Sequence, residues 1–147
     1  MSKIHIFVSF DLDHDGDLCD LLLEQSGISS YGFDVSGRSK ARSVDDLASD
    51  GVRRQIREAD EVIVICGEHT EDSMGVSAEL RIAQEERTPY FLLWGRREIM
   101  CTKPLFAKRD EGIYSWTSEI LQSQILLTLR NARWDSKAGG TPATPEA

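Results

Sequence analysis

Glu79 is the residue of this chain whose position is hardest to explain by folding alone. It lies in VSAELRIAQEER, where apolar residues recur at Val76, Leu80 and Ala83 with helical spacing. Glu79 stands beside that apolar stripe rather than opposite it, in the first turns of the expected helix. A carboxylate placed there can stabilise a developing positive charge or act as a nucleophile. The plainer role is a solvated helix charge paired to Arg81 or Arg87. Two histidines lie in polar loops nearby, His14 in DLDHDGD and His69 in EHTEDSMG. Each could line a crevice or stand in solvent. The basic cluster Arg38, Lys40 and Arg42 fits a solvated loop as well as a phosphate clamp.

Several other chemistries lack their residues. Asp11, Asp13, Asp15 and Gly16 match the first half of a calcium-binding loop, but the closing position holds Leu22 where a bidentate glutamate is needed. A strand, not a helix, is expected before that loop, so no calcium site is expected. A phosphate-accepting receiver needs an aspartate at the end of its third strand, and here that strand ends Cys66, Gly67, Glu68. GxGxxG, Walker A and HExxH patterns are absent. Cys19, Cys66 and Cys101 are odd in number and widely spaced, which indicates neither a zinc site nor a disulfide framework. No metal is expected.

The elements that must position Glu79 follow from the apolar pattern. Val62 to Cys66 is a β-branched run suited to a strand buried on both faces. The helix carrying Glu79 follows, Pro89 marks its exit, and Tyr90 to Trp94 form the next buried strand. Strand, helix and strand make one parallel unit. Upstream, Lys3 to Phe10 reads as a central first strand. Leu18, Leu21, Leu22 and Leu23 start a helix, and Tyr31 to Val35 reads as a short second strand. The polar segment beginning SGRSKARS comes next, then a helix through Leu47, Val52, Ile56 and Ala59. Downstream, residues 96–112 read as an irregular loop with a short helical turn. Ile113 to Trp116 reads as a fifth strand, and Thr117 can cap a last helix through Leu129. These elements imply an α/β fold with one five-stranded, doubly wound parallel sheet of order 2-1-3-4-5. In that order the two acidic loops face each other across the switch-point crevice, with Glu79 in its wall.

The chain has 147 residues, a net charge of −8 and a pI near 4.9. One domain over residues 1–134 is expected. Residues 135–147, rich in Gly and Pro, are expected to form a disordered tail. The acidic balance disfavours nucleic acid and anionic membranes as partners. No apolar run is long enough to span a bilayer, and MSKIHIFVSF carries no secretory signal, so a cytoplasmic location is expected.

FVSFDLDHD, VRRQIREADEVIVICGEHT and GVSAELRIAQEERTPYFLLWG resemble TIR-like domains, above all the ThsB-type TIR proteins of Thoeris antiphage defence. The resemblance covers most of residues 3 to 130. It implies a flavodoxin-like fold and cleavage of the nicotinamide–ribose bond of NAD+, with NAD+ as substrate and no cofactor. The product would be ADP-ribose or a cyclic ADP-ribose-type messenger. The match places the catalytic glutamate at Glu79, with Phe10, Asp11, Ser36, Arg38, His69 and Ser73 as the implied substrate contacts. SGRSKARS corresponds to the BB loop, through which TIR domains close over ligand and assemble, so self-association or a partner effector is implied. Gly75 stands where many TIR domains carry Trp, and Asp11 where many carry a basic residue. Two alternatives stay open. Asp72, Gly75, Glu79 and Ala83 before Pro89 also resemble the nucleoside deoxyribosyltransferase pattern, and a TIR adaptor would have no enzymatic activity.

Overall fold

The computed structural model describes residues 4–28, 32–40 and 50–137. Five strands, β1 (Ile4–Ser9), β2 (Phe33–Arg38), β3 (Glu61–Cys66), β4 (Tyr90–Trp94) and β5 (Ile113–Ser115), form one sheet in the order β2-β1-β3-β4-β5. Every neighbouring pair is parallel. The connecting helices are α1 (Gly16–Ser26), α2 (Asp50–Glu58) and α3 (Met74–Glu86), and α4 (Ser118–Lys137) follows β5. The expected strand order and fold class are both present.

Each face of the sheet has its own core. One packs Ile6, Val8, Ile63, Ile65 and Leu93 with Leu18 and Leu22 of α1 and with Leu121 and Ile125 of α4. The other packs Phe7, Val62, Val64 and Leu92 with Ile56 of α2 and with Val76, Leu80 and Ala83 of α3. Strand β3 contributes to both and is buried at all of its residues. That is why its sequence is continuously apolar after Glu61 rather than alternating.

The boundaries differ from expectation in places. The second strand was expected over Tyr31–Val35 but runs from Phe33 to Arg38. Gly37 and Arg38 continue the ladder against Phe7 and Val8, past a register shift between Ile6 and Phe7. β2 is an edge strand, so its pairing continues through polar residues whose side chains face solvent. Residues 96–112 form turns without the expected helical turn. α4 extends through Lys137, and residues 138–147 of the expected tail lie outside the described residues. Tyr31, Arg42 and Leu47 also lie outside them, as do residues 41–43 of the BB-type segment.

Helix α3 is fixed at both ends. Ser73 accepts a hydrogen bond from the Val76 N–H at its start (3.2 Å). At its end Arg87 adopts a left-handed conformation (φ 59°), and its N–H closes on the Ala83 and Gln84 carbonyls. These caps set where α3 begins relative to the β3 carboxyl end, and so where Glu79 stands.

Candidate active site

The carboxyl ends of β1 and β3 open into a cavity of about 660 Å³. Phe10, Asp11, His14, Ser39, Lys40, His69, Ser73, Met74 and Gly75 line it together with Glu79. This is the switch point of the sheet, where the strand order reverses between β1 and β3.

Glu79 is 1% exposed and belongs to the wall of this cavity, not to the solvated helix surface. Two hydroxyls donate to its Oε1: Ser9 at 2.7 Å and Ser39 at 2.5 Å. Both donors are buried. Hydrogen bonds to a carboxylate are shorter and stronger than neutral ones, so two of them fix the orientation of the group. Ser39 is itself held by β1. Its N–H donates to the Val8 carbonyl (2.9 Å), and its Oγ accepts the Phe10 N–H (3.1 Å). The carboxylate is thereby tied to the end of β1 and to the residue just after β2.

The opposite wall comes from the loop after β1. Asp11 accepts the Asp13 N–H through Oδ1 (3.1 Å), and its Oδ2 lies 2.7 Å from His14 Nδ1. Both oxygens are thus engaged within the loop. The hydrogen bond to Asp11 raises the His14 imidazole above its ordinary pKa, with Asp13 and Asp15 adding to it and desolvation opposing it. The His14 and His69 rings lie 4.0 Å apart at 31°, joining the two acidic loops across the cavity. Behind them, Arg96 donates to the His14 carbonyl (2.8 Å) and to Asp15 (3.1 Å) and Asp17 (2.8 Å). Asp15 is nearly fully buried, and burial pushes its carboxyl above the usual carboxylate range against the pull of Arg96. It packs on Gly67, where a Cβ would stand 2.4 Å from Asp15 Oδ2.

The expected site residues divide. Phe10, Asp11, His69, Ser73 and Glu79 meet at the cavity. Ser36 and Arg38 are not among its lining residues. Both are exposed on β2, where Ser36 Oγ donates to the Ile6 carbonyl (3.4 Å). Sequence reasoning passed over Ser9, Ser39 and Arg96, and named Lys40 only within the basic cluster with Arg38 and Arg42. Ser9 carried a faint signal, as a polar residue inside an apolar strand; Ser39 and Arg96 carried none. Among the described residues, no group of three or more His, Cys, Asp or Glu side chains could hold a metal ion. No helix there is long and apolar enough to cross a membrane.

The family model for the Thoeris protein ThsB, TIR-like domain, matches residues 7–96, more than half of the chain. The chain belongs to that family. The matched span of this ThsB TIR-like domain takes in both walls of the cavity and Glu79. No curated protein matches. One similar solved structure is the glutaminase domain of Trypanosoma brucei CTPS with bound acivicin. It is 18% identical with a TM-score of 0.40, covering 62% of this chain and 36% of that chain.

Proposed function

We propose that this ThsB TIR-like domain cleaves the bond between nicotinamide and ribose in NAD+ and acts in Thoeris defence. The observation that carries the reading is the buried Glu79 carboxylate, clamped by Ser9 and Ser39 at the wall of a switch-point cavity. When the C1′–N bond breaks, its electron pair leaves with nicotinamide and positive charge grows on the ribose. A carboxylate held rigidly beside that ribose stabilises the charge without reorganising. Oriented hydroxyl donors keep the group from rotating away. Phe10 supplies an apolar wall for the nicotinamide ring. His69, Ser73 and Lys40 offer polar and cationic contacts to the rest of the dinucleotide. Asp11 acts on the wall through His14 rather than on substrate.

Water attack on the ribosyl cation gives ADP-ribose. Attack by a hydroxyl of the same molecule gives a cyclic isomer, a messenger that a partner effector would read. The reaction needs no resident cofactor, since NAD+ is the substrate. Assembly through the BB-type segment beginning at Ser36 belongs to the same proposal.

The test is direct. The protein is incubated with NAD+ across a range of protein concentrations, and nicotinamide, ADP-ribose and cyclic products are separated by chromatography. Nicotinamide release that disappears in Glu79→Gln is the expected result. No release at any concentration, from a folded protein, would overturn the enzymatic reading in favour of an adaptor. Cleavage of deoxynucleosides with NAD+ left intact would move it to the deoxyribosyltransferase class.

A further inference from the structure

We propose that His14 is the base that takes the proton from the attacking oxygen, held for that task by Asp11. The inference rests on the proposed N-glycosidic cleavage and adds a second chemical group to it. Glu79 can stabilise the cation while its Oε1 accepts two hydroxyl donors. The attacking oxygen, whether of water or of an internal hydroxyl, must also lose a proton as it bonds to C1′. His14 lies in the wall of the same cavity.

Three contacts set its geometry. Asp11 Oδ2 meets Nδ1 at 2.7 Å, so that nitrogen carries a proton and Nε2 is the nitrogen that can accept one. Arg96 holds the His14 carbonyl at 2.8 Å, which anchors the backbone beneath the ring. The His69 ring limits its rotation from the side. Asp11 and His69 contact the imidazole, and the charges of Asp13 and Asp15 act on it with that of Asp11. The three carboxylates raise its proton affinity, which suits a base working near neutral pH. The Asp–His pairing is that of a base with an orienting carboxylate.

The step balances. The C1′–N bond breaks and both electrons leave with nicotinamide, which becomes neutral. The acceptor oxygen bonds to C1′, its proton passes to His14 Nε2, and the imidazolium returns that proton to solvent. The sum is NAD+ and water giving ADP-ribose, nicotinamide and a proton. Nothing is oxidised or reduced.

A pyridine nucleophile separates the two roles, because its ring nitrogen attacks C1′ with no proton to lose. The experiment presents NAD+ to the parent, His14→Gln and Glu79→Gln, with and without 3-acetylpyridine. It follows hydrolysis and base exchange separately, beside the melting temperature. His14→Gln is expected to lose roughly a hundredfold or more in hydrolysis, the scale of one general base. Its base exchange should stay near the parent's. Glu79→Gln should lose both. Asp11→Asn should lower the His14 titration midpoint followed by NMR and weaken hydrolysis selectively. If His14→Gln lowers hydrolysis and exchange together, His14 is a binding contact and the proposal fails. Unchanged hydrolysis in a folded His14→Gln also sinks it. A parent that releases no nicotinamide overturns the NAD+ reading itself, and the base with it.

Discussion

Ser39 Oγ lies 2.5 Å from Glu79 Oε1, although forty residues of chain separate them. The same hydroxyl accepts the Phe10 N–H. One small side chain thus couples the end of β1 to the carboxylate on α3. Ser39→Ala should cost twice, since it frees the carboxylate on one side and leaves a buried backbone donor without its acceptor. The second effect alone is worth about 1–3 kcal/mol. Ser9→Ala removes one donor to Glu79 and no such backbone bond. Thermal unfolding should therefore rank Ser39→Ala below Ser9→Ala, while both lower NAD+ turnover. Equal melting temperatures would show that the Phe10 contact contributes nothing.

The exposed and the long-range parts of this site differ in how far sequence reveals them. Val62 to Cys66 was legible because burial on both faces forces a continuous apolar run. Glu79 was legible because a charge beside the apolar stripe of a helix is costly without a purpose. Ser39 was not, since its role arises from a contact with a helix far along the chain. Arg96 was equally silent, one arginine of an RR pair after β4, yet it braces the loop that carries His14. The end of β2 was misplaced for a related reason. Ser36, Gly37 and Arg38 look like loop residues, but an edge strand pairs on one side only and tolerates them.

Glu79→Gln tests the charge itself. Glutamine keeps the shape and an oxygen that can accept from Ser9 and Ser39. Removing one electrostatic group from a catalytic site costs several kcal/mol of barrier, or about a hundredfold or more in rate. Nicotinamide release should fall on that scale with the melting temperature nearly unchanged. Full turnover would exclude a catalytic role. Lost turnover with a collapsed melting temperature would make Glu79 structural.

Gly67, just after β3, packs against Asp15 of the loop after β1. A methyl there meets Asp15 Oδ2 at 2.4 Å, and Arg96 holds the other oxygen of the same carboxylate at 3.1 Å. Gly67→Ala should destabilise by about 1–3 kcal/mol, the usual cost of overpacking. Asp15→Ala removes the obstacle. The double variant should then be more stable than the sum of the single effects predicts. Strict additivity in denaturant unfolding would place the strain elsewhere.

Glu61 gives the protein a pH dependence unrelated to the cavity. It opens β3, is 0% exposed, and neither of its oxygens has a hydrogen-bond partner. Burial, with Asp60 adding to it, pushes its carboxyl up to about 9. In the unfolded chain it titrates near the ordinary glutamate value, 4.5. Between those two values the folded state keeps a proton that the unfolded state gives up. Stability from this group is therefore fully present below the lower value and is lost as pH rises toward the upper one. Above about 9 both states are ionised and the loss levels off. The total is of the order of several kcal/mol. Glu61→Gln cannot ionise. Its buried amide carries its own desolvation cost, so the slope of stability against pH, not the value at one pH, is the fair comparison. Denaturant unfolding from pH 5 to pH 9 should show the parent losing stability faster than Glu61→Gln, with the variant ahead at the alkaline end. Parallel profiles would mean that Glu61 finds water or a partner in solution and titrates as an ordinary carboxylate.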